Sequence, residues 1–254
     1  MRRWLGIGRR VPDTTLRELL CRLRPAALRP HVHAVIRAAI RRKALHERLL
    51  PFGVVSLDGK GTSLPSCDDF YAQRQSPKET LLVGVVRTVT SVLVSHPARP
   101  CLDVLPIPAA TNEMGIFETA LRALCKVYDG SDLFRLVSYD AGACSLDNAS
   151  LVRQLGLHYL FGLTAAQPTL LGEAQRLLQP LGAERAAAQS EDSSRAKRIV
   201  RRLFLTEEMS AFGGSEHLRA VLCSATATAA PGSPGRRPPA PRAACPSAWC
   251  TPPR

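Results

Sequence analysis

The chain has 254 residues, of which 45% are hydrophobic, and its formal net charge is +13 at pH 7. This length and apolar content suffice for one large or two small globular domains, and they exclude a chain that is disordered throughout. The positive charge favours a polyanionic partner, for which nucleic acid is the usual choice, and an arginine-rich coding bias is the alternative explanation.

The sequence indicates neither a membrane segment nor a disulfide framework. The eight cysteines are scattered, and no two are spaced like a zinc knuckle or a redox pair. No secretory signal is predicted, and no stretch approaches the roughly 20 apolar residues of a membrane helix. We therefore expect reduced thiols in a cytoplasmic protein without a membrane partner.

The first 50 residues (1–50) are predicted to form a small helical segment that precedes the main domain. Thr15 and Glu18 match the capping-box pattern, and an apolar stripe follows at helical spacing. We therefore expect a helix over residues 12–23 with one buried face. That face consists of Leu16, Leu19, Leu20 and Leu23.

A second helix is predicted from Pro30 to about Leu45, because Pro25 ends the first one. Its predicted buried face consists of Val32, Val35, Ile36, Ala39 and Ile40. The opposite face is cationic and carries Arg37, Arg41, Arg42 and Lys43. Such a face is either solvated or in contact with phosphate, and both interpretations stay open.

The main domain is predicted to span residues 51–223 and to begin with a strand that ends in an aspartate. Val54 to Leu57 is typical of a buried strand, and Asp58 is followed at once by Gly59-Lys60-Gly61. Because Asp and Gly are disfavoured inside strands, we place Asp58 at the last pleat of the strand, facing a cleft.

A second strand further along the chain is predicted to end in the same way. An apolar run over residues 133–139 leads into Asp140, which is followed by Ala141 and Gly142. Two strand-end carboxylates in one α/β domain could converge on a divalent cation, because such cations prefer hard oxygen ligands. Ordinary turn caps at the two strand ends are the alternative.

The elements around these aspartates alternate between strands and helices. Residues 80–94 predict two strands or a hairpin, and residues 101–105 predict a further strand. A helix follows, and its apolar face consists of Ile116, Phe117, Ala120, Leu121 and Leu124. The second aspartate strand, a helix from Ser145 to Gly156 and a strand over residues 158–163 complete the order. This order of three strands, helix, strand, helix and strand fits a mixed α/β sheet of the RNase H type, and it fits other α/β folds as well.

The last part of the chain is basic. Residues 172–194 are weakly patterned, and a run of cations then leads into an apolar triplet, which predicts a basic strand or a hairpin edge. The run consists of Arg195, Lys197, Arg198, Arg201 and Arg202. Edge strands carry cations to block aggregation, whereas beside a catalytic cleft the same cations would hold a phosphate backbone.

Residues 224–254 are rich in proline and arginine and contain no acidic residue. We predict a disordered tail, because this composition cannot build a core. A frameshifted reading of a GC-rich gene gives such a composition, and an evolved basic arm is the alternative.

Five short motifs, in their order along the chain, resemble those of the H-repeat-associated bacterial insertion-sequence transposases. Residues 9–16 resemble the helical lead-in of that family, and Leu57-Asp58-Gly59-Lys60 resembles its first catalytic motif. Thr111-Asn112-Glu113-Met114 resembles its T/S-N-E-I helix start, and Ser138-Tyr139-Asp140-Ala141-Gly142 its second catalytic motif. Residues 159–170 resemble its Y-x-x-x-x-K-x-N-Q-x-x-L signature.

This resemblance, which extends over residues 9–222, implies an RNase H-like fold and the chemistry of a DDE transposase. Asp58 and Asp140 would hold two Mg²⁺ or Mn²⁺ ions, which activate water or a DNA 3′-hydroxyl for in-line attack on phosphate. The implied partner is double-stranded DNA at the ends of an insertion sequence, and a homodimer is compatible with it. Lys60 would contact a DNA phosphate, or it is a solvated turn residue.

Three departures from the family pattern lower the expected activity. Thr164 and Ala166 replace the Lys and Asn of the signature, and Val200 occupies an acidic position. No counterpart exists for the C-terminal H-W-x-I-E-N helix that carries the catalytic glutamate. We therefore expect a truncated, catalytically impaired transposase whose two aspartates bind Mg²⁺ weakly. A non-catalytic basic DNA-binding remnant without metal chemistry is the alternative.

Overall fold

The computed structural model describes residues 11–22, 25–46, 48–64, 72–73, 83–108, 110–194, 197–210, 212–214, 217–229 and 249–251. The helices are α1 Asp13–Arg22, α2 Pro25–Arg41, α3 Glu113–Val127, α4 Leu146–Gln154 and α5 Pro168–Leu178. The strands are β1 Val54–Leu64, β2 Ala72–Gln73, β3 Val83–Leu93, β4 Cys101–Pro106, β5 Leu136–Tyr139, β6 His158–Phe161, β7 Ala188–Ser194, β8 Lys197–Thr206, β9 Ala220–Ala229 and β10 Trp249–Thr251.

The first sheet is mixed and is flanked by helices, as the sequence predicts. Its strands follow the order β2-β3-β1-β5-β6, and β4 also pairs with β3. Strand β1 is antiparallel to β3 and parallel to β5, and β5 is parallel to β6. The carboxyl ends of β1, β5 and β6 therefore point in the same direction.

Strand β1 is longer than the sequence predicts. It continues through Gly59-Lys60-Gly61 to Leu64, because it pairs with β3 over its whole length, from Val55 opposite Leu93 to Leu64 opposite Gly84. The placement of Asp58 at the last pleat is therefore wrong, since Asp58 lies opposite Thr90 inside the ladder. Likewise, β3 is one continuous strand where two strands or a hairpin were predicted.

Helix α3 packs against the first sheet with the face that the sequence predicts. Its buried residues are Ile116, Phe117, Ala120, Leu121 and Leu124. The Phe117 ring meets Tyr139 of β5 edge-on at a centroid distance of 5.0 Å, and it meets Phe161 of β6 at 6.0 Å. The helix begins at Asn112, whose side chain accepts from the Gly115 N–H, so the start of the helix is fixed beside the sheet.

The N-terminal helices match the prediction only in part. Helix α1 has the predicted position, whereas α2 runs from Pro25 to Arg41 and not from Pro30 to about Leu45. The side chain of Leu20 and the whole of Leu23 lie outside the described residues. Leu16 and Leu19 of α1 are 47% and 56% exposed, and Val32 and Val35 of α2 are 43% and 67% exposed. Of the predicted α2 face, Ile36 is buried, and Ala39 and Ile40 are partly buried. Pro30 lies inside α2, which begins at Pro25. The pattern therefore predicts amphipathic helices correctly, while these apolar side chains remain at the surface.

A polar cluster connects α2 to the sheet. Asp103 of β4 is 3% exposed and accepts two hydrogen bonds from the Arg29 guanidinium, of 2.7 and 2.5 Å. His33 Nε2 lies 3.0 Å from the same carboxylate. Burial alone would raise the pKa of the Asp103 carboxyl, but the hydrogen bonds and positive charges of Arg29 and His33 outweigh it and lower that pKa.

The second sheet is antiparallel, with the order β10-β9-β8-β7. Strand β8, which carries the predicted basic run, pairs with β7 on one side and with β9 on the other. The prediction of a basic strand is therefore correct, whereas a position at the edge of the sheet is not. Strand β9 runs to Ala229, so residues 224–229 lie in a strand where the sequence predicted a disordered tail. Residues 230–248 and 252–254 lie outside the described part of the chain.

The two sheets share one hydrophobic core. Phe204 of β8, Val221 of β9, and Met209 and Leu218 between these strands belong to the same buried cluster as the aromatic residues of β5 and β6. Helix α5 contributes Leu171, Ala174 and Leu178 to it. The sequence analysis missed this helix because residues 172–194 are weakly patterned, although proline, here Pro168, is favoured in the first turn of a helix.

Candidate functional site

The predicted site residues Asp58 and Asp140 lie at matching positions on neighbouring parallel strands. Strand β1 pairs with β5 through three residue pairs, and the last of these joins Ser56 to Ser138. Each aspartate follows its serine by two residues, and paired strands are about 4.8 Å apart. Each aspartate thus lies two residues past the last paired residue of its strand, Asp58 within β1 and Asp140 just after the end of β5. We call Asp58 and Asp140 the carboxylate pair.

Both members of the carboxylate pair are exposed, but their local roles differ. Asp140 Oδ1 accepts from the Gly142 N–H at 2.9 Å, which caps the short 3-10 helix Ala141–Ala143. Asp140 thus acts as a turn cap through one of its two carboxylate oxygens. Asp58 lies within a strand, next to the buried Leu57, so its side chain projects to the opposite face of the sheet.

Glu113, at the start of α3, connects the strands that carry the pair. Its Oε1 accepts from the Gly59 N–H at 2.8 Å and from the Tyr139 hydroxyl at 2.8 Å. Gly59 directly follows Asp58, and Tyr139 directly precedes Asp140. We call this arrangement the Glu113 bridge. The T-N-E-M motif predicts a helix start but not what the glutamate contacts, so a chemical role of Glu113 was not predicted.

The surroundings of Tyr139 keep its hydroxyl protonated. Burial raises the pKa of Tyr139, and the hydrogen bond to Glu113 raises it further. The negative charges of Glu113, Asp140 and Asp58 act in the same direction. The Tyr139 hydroxyl is therefore a stable donor to the Glu113 carboxylate over the whole neutral pH range.

A polar cavity of about 360 Å³ lies beside the Glu113 bridge. Its charged lining residues are Lys60, Arg87, Glu113 and Asp140. Two glycines leave the β1 wall of this cavity without side chains. At Gly59 a Cβ atom would lie 1.7 Å from Glu113 Oε2, so the close approach of the glutamate requires glycine there.

The cations of this cavity have distinct environments. The Arg87 guanidinium donates to the Thr111 carbonyl at 3.0 Å, in the loop that leads into α3. Lys60 is exposed in mid-strand, opposite Thr88 of β3, so the interpretation as a turn residue is wrong. The exposed Lys60 side chain on the β1 wall is therefore available to contact a phosphate group.

The carboxylate pair meets part of the requirements of a divalent metal ion. Its ligands are hard oxygens at the surface, and neither aspartate forms an ion pair with another described residue. Within the described ranges, no group of three or more His, Cys, Asp or Glu residues could hold a metal. The site thus fits Mg²⁺ only in its usual form with one or two carboxylates, in which water and substrate phosphate supply the other ligands.

The predicted basic run is mostly used in cross-strand pairs. Arg198 forms an ion pair with Glu191 through both of its guanidinium donors, and Arg201 pairs with Asp192 at 2.8 Å. Arg202 donates to Gln189 at 2.9 Å. Arg195 lies outside the described residues, as does the side chain of Lys197. The described members of the run therefore hold β8 to β7, while their other faces are exposed to solvent.

An apolar cavity of about 380 Å³ lies between α4, α5 and β6. Tyr159 and Phe161 form part of its wall, stacked at a centroid distance of 4.9 Å. Cys144 and Gln167 line it as well, and the Gln167 amide donates to the Cys144 carbonyl at 2.9 Å. Burial raises the pKa of the Cys144 thiol, so this cysteine is a poor nucleophile.

The comparisons with known proteins assign no family to this chain. Neither the scan against family models nor the search of curated proteins finds a match. Among the described residues, no helix combines the length and the apolar character that crossing a bilayer requires. The candidate function therefore depends on the geometry of the carboxylate pair and its surroundings.

Proposed function

We propose that this chain is a DNA-binding protein of the RNase H-like transposase type, with a weak divalent-metal site formed by Asp58 and Asp140. The observation that carries the proposal is that each aspartate lies two residues past the last paired residues of the parallel strands β1 and β5, Ser56 and Ser138. An oxygen-only pair at the surface, next to a cavity that also has cations, suits a phosphodiester substrate.

The topology of the first sheet supports an RNase H-like fold. Three antiparallel strands, β1, β3 and β4, come first in the chain, if the two-residue β2 is set aside. A helix, a parallel strand, a second helix and a second parallel strand follow. This is the order that the sequence analysis required of such a fold, and it places both aspartates at the centre of the sheet.

The residues of this site have separate tasks in the proposed activity. Bound by Asp58 and Asp140, Mg²⁺ or Mn²⁺ would activate water or a DNA 3′-hydroxyl for attack on a phosphate. Lys60 would contact a phosphate of the DNA backbone. Because the protein supplies only two carboxylates to the metal, we propose low catalytic activity rather than an efficient transposase.

Calorimetric titration of Mn²⁺ into the purified protein tests this proposal. We expect weak binding by wild type and none by the Asp58→Ala/Asp140→Ala double variant. Glu207→Ala/Glu208→Ala, which removes two exposed carboxylates from the turn after β8, is the matched control and should bind like wild type. Equal binding by all three proteins would contradict a role for the carboxylate pair.

A second candidate is metal-independent DNA binding, which the net charge of +13 favours. The C-terminal end of α2 and the turn after it add the exposed cations Arg41, Arg42 and Lys43. This function predicts duplex affinity that falls linearly with salt on a logarithmic scale and is unchanged in Asp58→Ala/Asp140→Ala. If the double variant binds DNA like wild type without Mn²⁺ but loses DNA binding when Mn²⁺ is present, the metal-dependent function is favoured instead.

A further inference from the structure

We infer that Glu113 is the residue that positions Asp58 relative to Asp140. The inference rests on the proposed function, because it assigns a positioning residue to the same site. It begins from a motif, T-N-E-M, whose glutamate the sequence analysis left without a chemical role. Three features of the Glu113 bridge support the inference. They are the atoms that the bridge joins, the point where the β1–β5 pairing ends, and the packing of the residues that Glu113 contacts.

The first feature is the identity of the two donors. One is the backbone N–H of the residue after Asp58, and the other is the side chain of the residue before Asp140. Both bonds end on the same oxygen, Glu113 Oε1, at 2.8 Å. A carboxylate that accepts two hydrogen bonds holds both donors more strongly than a neutral acceptor would. A single atom therefore sets the spacing between the two chain segments that carry the carboxylate pair.

The second feature is the short pairing of the two strands. Strand β1 pairs with β5 only from Val54 to Ser56, whereas the aspartates lie beyond the last pair. Past Ser56, no ladder contact between β1 and β5 keeps the strands at a fixed distance. The Gly59 N–H, which lies in this region, finds its acceptor in Glu113. The carboxylate thus replaces the missing strand contact, and a backbone N–H without such a partner would be costly.

The third feature is the packing of the two residues that the carboxylate contacts. A Cβ atom on Gly59 would overlap Glu113, and the Tyr139 ring is held edge-on by Phe117 at 5.0 Å. Phe117 is itself fully buried in α3, one turn after Glu113. Helix α3 therefore holds both partners of the hydrogen bond between Tyr139 and Glu113. It carries the acceptor Glu113, and its Phe117 packs against the ring of the donor Tyr139. This rigidity is what a positioning residue requires, because its effect depends on fixed distances.

The geometry also distinguishes positioning from metal binding. Glu113 Oε1 is occupied by two donors, and the described residues hold no group of three metal ligands. Glu113→Gln retains an oxygen that accepts both hydrogen bonds but lacks the charge that a metal ligand needs. Glu113→Ala removes both the acceptor oxygen and the charge. The two substitutions therefore separate the two roles.

The first measurement is made without metal. Hydrogen exchange of the Gly59 amide is compared in wild type, Glu113→Gln, Glu113→Ala and the control Glu118→Ala, which removes an exposed carboxylate from the same helix. We expect exchange about tenfold faster or more in Glu113→Ala alone, since its Gly59 N–H loses its acceptor. Unchanged protection of Gly59 in Glu113→Ala would overturn the inference. If Glu113→Ala does not fold, Tyr139→Phe is used, which removes one of the two donors and keeps the ring.

The second measurement is the Mn²⁺ affinity of the same proteins. We expect Glu113→Ala to bind roughly 10–100-fold more weakly, as for other residues that orient metal ligands, and Glu113→Gln to stay close to wild type. Equal losses in the two variants would overturn positioning and make Glu113 a metal ligand. If wild type binds no Mn²⁺, the proposed function fails. The hydrogen exchange of the Gly59 amide, measured without metal, still tests the Glu113 bridge on its own.

Discussion

Asp103 of β4 and Arg29 of α2 form a buried, doubly hydrogen-bonded ion pair that fastens the N-terminal segment to the sheet. Since Val32 and Val35 of α2 face solvent, apolar packing is only part of this attachment. A buried carboxylate that loses its cation is strongly destabilising. Arg29 is therefore, with His33, a main polar contact between α2 and β4.

We expect Arg29→Ala to lower the free energy of unfolding by about 3 kcal/mol, because Asp103 remains buried with only His33 beside it. The matched control is Arg122→Ala, which removes the exposed pair with Glu118 and should cost less than about 0.5 kcal/mol. Urea unfolding of the two variants measures the difference. Equal costs would show that the Arg29 pair contributes no more than a surface pair.

The same cluster makes stability depend on pH. The pKa of Asp103 is lowered on folding, so near its ordinary value of 3.8 the unfolded chain binds more protons than the folded protein. The stabilisation by this group is complete above that value, and it is lost as the pH falls through the lower folded pKa. Unfolding measured from pH 6 to pH 2 should show a steeper acid loss in wild type than in Asp103→Asn. Parallel curves would contradict this origin.

The Glu113 bridge predicts opposite outcomes for two neighbouring glycines. We expect Gly59→Ala to cost about 1 kcal/mol, because its Cβ would displace the Glu113 carboxylate and break the hydrogen bonds of the bridge. At Gly61 the nearest atom to an added Cβ is Val85 Cγ1 at 3.8 Å, an ordinary contact, so Gly61→Ala should be neutral or slightly stabilising. Thermal unfolding compares them. A neutral Gly59→Ala would mean that Glu113 moves away easily.

The basic residues should differ in their effect on DNA binding. Arg201 is paired with Asp192, whereas Lys60 lines the polar cavity. We expect Lys60→Ala to reduce the salt dependence of duplex affinity by about one phosphate contact, and Arg201→Ala to leave it nearly unchanged. Fluorescence anisotropy at several salt concentrations measures both slopes. A larger loss for Arg201→Ala would assign the contact to β8 and not to the cavity.

The parts of the fold that the sequence predicted correctly are those determined by local pattern. The five buried residues of α3 repeat at helical spacing, so the sequence alone identifies that face. Ser145 as a cap and Gly156, with φ of 74°, bound α4 for equally local reasons. The two aspartates were found because each follows a short apolar run.

The errors concern contacts between distant segments. Asp58 lies inside a strand because pairing with β3 outweighs the low strand propensity of Asp and Gly. Leu16 and Leu19 are exposed because periodicity shows that a helix has an apolar face, not what covers that face. Glu113 meets Gly59 and Tyr139 from far along the chain, and no local motif encodes such a meeting.

The short β1–β5 pairing has a consequence for how the protein acquires its site. Three residue pairs join segments that are remote in the chain. The chain between them must therefore lose the entropy of loop closure before these pairs can stabilise the sheet. We therefore expect the two aspartates to take up their relative positions only after β1 and β5 have paired. A metal ion bound between them would favour the fully assembled state over any partly folded one. Metal affinity would then report on the completeness of folding as well as on the local site.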